Sequence, residues 1–179
     1  MDRERKTSIS FRLSNKLLKA LKEEAKFRDI PLGSLLVRMA TRYGTFDLFI
    51  EQLHPLVLAG ETLLSIITEL NPEQVEQKGV MAGSRLPALL FKQHNIKPTL
   101  DSIMRYYFEL LGKYAGWFGS KYFEEEQKII LRHSLGVKWS CFLKGHIGAT
   151  FRSVLKVDPK IDIDENSVTV HIKLKTGSS

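Results

Sequence analysis

One cysteine, Cys141, stands in 179 residues. No disulfide can form within the chain, which excludes a disulfide-stapled scaffold and fits a reducing compartment. Long apolar runs are missing too: none approaches the roughly 20 residues needed to cross a bilayer. The start is not an apolar leader, because Asp2-Arg3-Glu4-Arg5-Lys6 is fully charged. A soluble, cytoplasmic protein without membrane contact is expected. No glycine-rich phosphate loop occurs despite twelve glycines.

Metal-ligand spacing is also lacking. The candidates are His54, His94, His133, His146, His171 and Cys141. Cys141 and His146 sit five apart on one expected helix, about 140° apart around its axis. His133 and His171 could meet across a sheet, but two ligands do not make a site. Cys141 lies in an apolar context, Trp139-Ser140-Cys141-Phe142, and reads as an inert buried thiol. Glu124-Glu125-Glu126 reads as a solvated turn. No catalytic constellation emerges, so neither enzyme activity, cofactor nor metal is expected.

What is present concentrates at one end. Residues 1–44 carry eleven Lys and Arg against five Asp and Glu, and residues 45–179 carry sixteen against fifteen. Nearly all of the net charge of +7 therefore belongs to the first 44 residues. Such a footprint suits one module that meets phosphate. Within it, Lys6-Thr7-Ser8-Ile9-Ser10-Phe11-Arg12-Leu13 alternates strictly. Ile9, Phe11 and Leu13 share a row with Thr7; the other row is Lys6, Ser8, Ser10 and Arg12. Period two marks a half-buried strand. A lone strand lacks a hydrogen-bonding partner, and a second copy of itself supplies one. Such a flat two-stranded ribbon fits the DNA major groove.

Ser14 is a good N-cap for a helix from Asn15, with Leu17, Leu18, Leu21 and Ala25 at helical spacing. Arg28-Asp29-Ile30-Pro31 interrupts. A second helix then carries Leu32, Leu35, Leu36, Met39 and Ala40 to about Tyr43-Gly44.

Strand, helix, turn and helix in this order resemble the ribbon-helix-helix family of DNA-binding regulators, the Arc, MetJ and CopG group. The matching residues are Ile9–Ser14 for strand and cap, Leu17, Leu21 and Ala25 for the first helix, and Ile30, Leu35, Leu36 and Met39 for the turn and second helix. The resemblance covers about a quarter of the chain. It implies a homodimer whose residues Ser8, Ser10 and Arg12 read bases. It also implies that the amides of Gly33 and Ser34, with the Ser34 hydroxyl, hold a phosphate. The family usually has polar residues where Pro31 and Gly33 stand, so amide contacts are the ones to expect there. Lys6 is expected on phosphate. Pairing of dimers into tetramers on double-stranded DNA stays open.

Beyond Gly44 an α+β domain is expected over 45–179, helical over 45–117 and a sheet with one packed helix over 118–175. Helical tendency continues through Phe46 to Leu53 and ends at Pro55. Helices are predicted over Glu61–Leu70, from Pro72, near Arg85–His94 and from Thr99; Gly79 and Gly83 blur the start of the third. The fourth should bury Ile103, Tyr106, Tyr107, Leu110, Leu111 and Tyr114. Lys121–Phe123 and Gln127–His133 look extended. Gly136–Leu155 looks helical, with Gly136 in a left-handed junction and Trp139 in the core. Lys160–Asp164 and Ser167–Leu174 alternate around a turn. The cluster Tyr106, Tyr107, Tyr114, Trp117, Phe118, Tyr122 and Phe123 is read as core first and as the place for an unknown small-molecule effector second. His133 to Ser140 resembles a recurring feature of an uncharacterised archaeal group with a ribbon-helix-helix head and a C-terminal hairpin, which implies a regulator of archaeal source.

The expected function is a sequence-specific DNA-binding transcriptional regulator acting as a homodimer. The alternatives are an antitoxin-like or other protein-interaction module with a DNA-binding head, or a ligand- or metal-responsive repressor.

Overall fold

Ser14 opens α1 (Asn15–Phe27) as read: its hydroxyl accepts the Leu17 N–H at 3.3 Å. The structure is a computed structural model that describes Thr7, Ser10 and residues 12–47 and 58–172. Asp29 takes a left-handed φ of 50°, and Pro31 precedes α2 (Leu32–Arg42), which runs into a π-helical turn, Tyr43–Asp47. Leu21, Ala25 and Leu35 are buried, with Leu13, Ile30, Leu32 and Leu36 packed around them. Among the described residues the expected ribbon is not seen. Thr7, Ser10, Arg12 and Leu13 form no strand, and Lys6, Ser8, Ile9 and Phe11 lie outside the described residues. The physical reason is that such a ribbon takes its hydrogen bonds from a second copy.

The chain divides into two compact units, Met1–Pro55 and Leu56–Ser179. The expected helical stretch from Leu48 to Leu53 lies outside the described residues. In the second unit, α3 (Gly60–Thr68) matches the reading. α4 (Pro72–Gln93) does not: it is one helix of 22 residues with a full capping box between Asn71 and Gln74. Gly79 and Gly83 do not break it. They lie where α6 (Gly136–Thr150) crosses. A Cβ on Gly79 would meet Phe142 O at 2.1 Å, and one on Gly83 would meet His146 O at 2.1 Å. From the other side, a Cβ on Gly145 would meet Glu76 O at 2.1 Å. The crossing exists because three side chains are missing from it.

Pro87 sits inside α4 and has no N–H to give to Gly83 O. The α6 side fills this gap: Ser153 Oγ donates to Gly83 O at 3.3 Å, and Thr150 Oγ1 approaches it at 3.5 Å. α5 starts at Leu100–Ser102, capped by Thr99, and continues as π-helical turns over Ile103–Phe108 and Leu110–Tyr114. The altered backbone shifts the buried stripe to Ile103, Tyr107, Phe108, Leu110 and Leu111, while Tyr106 is exposed.

β1 (Gly119–Phe123), β2 (Lys128–Arg132), β3 (Lys160–Ile163) and β4 (Ser167–His171) form one antiparallel sheet in the order β1-β2-β4-β3. The fold class is thus α+β. α6 (Gly136–Thr150, extended by a π-helical turn to Leu155) links the two hairpins and packs on the sheet. Gly136 takes φ +73° and Trp139 is buried, as expected. Ile129, Leu131, Val168 and Val170 are fully buried on the face toward the helices.

Candidate nucleic-acid interface

In the first unit Ser10 and Arg12 are exposed. α2 begins at Leu32 with no side chain capping it and no acidic residue in its first turn. Gly33 and Ser34 are exposed there, and no acidic residue of the first turn stands at the positive end of the helix dipole. A Cβ at Gly33 would find no atom within 4 Å, which leaves that turn open to an approaching phosphate oxygen. Lys6 and Ser8 lie outside the described residues.

The apolar side of this unit is incompletely covered. Leu17 is 46% exposed, Val37 66% and Met39 48%, although helical spacing marks Leu17 and Met39 as core. Among the described residues of this unit only Leu21, Ala25 and Leu35 are buried core, a small core for a unit of this size.

In the second unit the search for chemistry gives structural answers. His133 and His171 do not meet: β2 and β4 are antiparallel, so His133 lies beside Asn166 and His171 opposite Lys128. His171 Nε2 is 3.1 Å from Asp162 Oδ2. No group of three potential metal ligands occurs among the described residues. Cys141 is buried, and burial, followed by the charge of Glu76, raises its thiol pKa. That suits an inert thiol.

Two buried polar constellations escaped the sequence. Ser140 Oγ donates to Asp164 O at 2.6 Å and faces His133 Nε2 at 2.9 Å, while His133 Nδ1 accepts the Leu135 N–H at 3.3 Å. With Gly136 N donating to Asn166 Oδ1 at 3.1 Å, this latch ties the start of α6 to the β3–β4 turn. It accounts physically for the run His133 to Ser140. These bonds require neutral His133 with its proton on Nε2, and burial lowers its pKa accordingly.

The second is His146, fully buried, with Nε2 2.6 Å from the Tyr107 hydroxyl. Phe142 stacks on its ring at 5.6 Å between centroids and Trp117 meets it edge-on at 5.3 Å. Thr150 donates to His146 O at 2.8 Å and bonds Tyr107 as well. Which of Tyr107 and His146 donates in their bond follows from the imidazole tautomer. His146 Nδ1 has no hydrogen-bond partner among the described residues. Burial pushes the His146 pKa down to about 4 and raises that of Tyr107.

Of the expected aromatic cluster, Tyr107 and Phe118 are core and Tyr106 is exposed. A shallow cleft of about 360 Å³ opens beside Phe108, Phe118 and the Glu109–Lys113 pair. It holds no convergent polar groups that would define an effector. Among the described residues no helix is long and apolar enough to cross a membrane. No family model, no curated protein and no solved structure matches the chain.

Proposed function

We propose that the chain is a sequence-specific DNA-binding regulator of the ribbon-helix-helix type, acting as a homodimer and not as an enzyme. The observation that carries this reading is the confinement of the charge: eleven cations against five acids in the first 44 residues. The capped α1, the open start of α2 and the exposed Arg12 support it. The thin core and exposed Leu17, Val37 and Met39 support a second copy as the missing half. In the proposed complex residues 7–13 of both copies pair in the major groove. Ser8, Ser10 and Arg12 then face bases, and Lys6, Gly33 and Ser34 face phosphate.

Selection of duplexes from a random pool by the intact chain tests this. An enriched motif with two-fold symmetry is expected. Arg12→Ala should weaken the selected site by about 1–3 kcal/mol and leave random duplex almost unchanged. Equal losses on both would refute base reading.

A further inference from the structure

The sheet of the second unit has two unlike faces. One is sealed by Ile129, Leu131, Val168 and Val170, all at 0% exposure. On the other, the register lines up three rows: Phe123, Lys128, His171 and Lys160; Lys121, Ile130, Thr169 and Asp162; Gly119, Arg132 and Ser167. Every one of these residues is exposed or half-buried. The face is about 14 Å across its four strands. Its centre is Ile130 and Thr169; Lys128 and Arg132 flank them on the central strand β2, Lys121 and Phe123 stand on the edge strand β1, and Lys160 and Asp162 on the edge strand β3.

Elsewhere in this unit Arg105 pairs with Asp101, Lys113 with Glu109, Lys144 with Glu76 and Arg152 with Asp158, while Lys78, Arg85 and Lys92 on α4 have no acidic partner among the described residues. On the open sheet face Lys128 pairs with Glu126, and Lys160 with Asp162. Lys121 and Arg132 have no acidic partner among the described residues. Instead, the Lys121 ammonium lies 4.9 Å from the Phe123 ring centroid and that of Lys128 lies 5.2 Å from it. The half-buried ring thus gathers two cations beside it.

We propose that this open sheet face binds single-stranded nucleic acid. Lys121, Lys128 and Arg132 meet phosphates, and an unstacked base lies on Phe123. The chemistry is that of a flat platform: a base needs an aromatic plane, and the strand's phosphates need cations beside it. A four-stranded sheet suffices to seat two or three bases. An incoming base displaces the two ammonium groups from the ring toward its own phosphates, so charge stays compensated. An acidic peptide would also find the cations, but it would have no use for the half-buried ring. This inference does not rest on duplex reading by the first unit.

Titration of the full chain with a fluorescent 12-nucleotide single strand, DNA and RNA in parallel, tests it. The double variant Lys121→Glu/Arg132→Glu should bind at least 10-fold more weakly and reduce the salt slope by about 1.4, from two lost phosphates. Phe123→Ala should lose about 10-fold through stacking. Both variants should keep the parent's affinity for duplex and its circular dichroism. Arg12→Ala should do the reverse, weakening the selected duplex site and keeping the single strand. Unchanged single-strand binding in the double variant overturns the proposal, as does no binding by the parent. Displacement by polyglutamate as readily as by unlabelled oligonucleotide overturns it in favour of an acidic protein partner.

Discussion

Adding one methyl group at Gly83 should loosen the second unit. Its Cβ would lie 2.1 Å from His146 O, 2.8 Å from the same carbonyl carbon and 2.9 Å from His146 Cα. A close carbon–oxygen contact settles at about 3.3 Å, so the helices must separate locally by about 1.2 Å. A gap of that order forfeits up to about half of each dispersion contact it opens. The contacts at stake belong to fully buried Leu143 and Ile147 on α6 and to Val75 and Leu90 on α4. Overpacking of this kind costs about 3 kcal/mol at the upper end of the usual range, and the better helix propensity of Ala returns about 1 kcal/mol. A net loss of about 2 kcal/mol is expected for Gly83→Ala. Urea unfolding followed by tryptophan emission measures it, because Trp117 and Trp139, the chain's two tryptophans, both belong to this unit. At the usual slopes the midpoint should fall by roughly 1 M. Gly119→Ala is the control: a Cβ there meets only Arg132 O at 4.0 Å, so no loss is expected. Equal midpoints for Gly83→Ala and Gly119→Ala would refute the reasoning.

His146 should make the same unit acid-sensitive. Its folded pKa of about 4 lies below the ordinary 6.5, so the unfolded state binds the proton more tightly. The stability is complete above about pH 6.5, falls as the pH drops, and is lost by about 3 kcal/mol once below about pH 4. Subtracting the pH profile of His146→Gln from that of the parent isolates this component; parallel profiles would refute it. Ser140→Ala removes the buried hydroxyl that serves Asp164 O and His133, and should cost about 2 kcal/mol in the same urea assay. A loss below about 0.5 kcal/mol would show that the latch is not stabilising.

Local signals carried much of the fold. Ser14, Asn71 and Thr99 cap helices because their side chains reach amides three residues on. Gly136 and the alternation of Ser167–His171 likewise act within a few residues. What the sequence hid is long-range. Gly79 and Gly83 look like breakers when only helix propensity is weighed, yet they admit a second helix. Tyr107 and His146 join across 39 positions with no pattern to announce it. The stripe of α5 moved because the π-helical backbone changed its period, which brought Phe108 inward and left Tyr106 outside. At the candidate duplex interface the exposed Arg12 and the open start of α2 were legible, because both depend on local order. An expected ribbon of two copies leaves no hydrogen bonds to find within one chain. The open sheet face went unread for a related reason: its rows exist only once the register of four strands is known.

The strand order has a consequence for how the second unit is made. The sheet's two central strands, β2 and β4, are separated in the chain by the whole of α6. During synthesis the first hairpin emerges with Ile129 and Leu131 on an unpaired edge. That edge stays open until His171 has left the ribosome and the second hairpin can dock. Pairing over this separation is intrinsically slow, and the waiting hairpin is the segment most exposed to misassociation. Closure of the sheet therefore waits for the second hairpin.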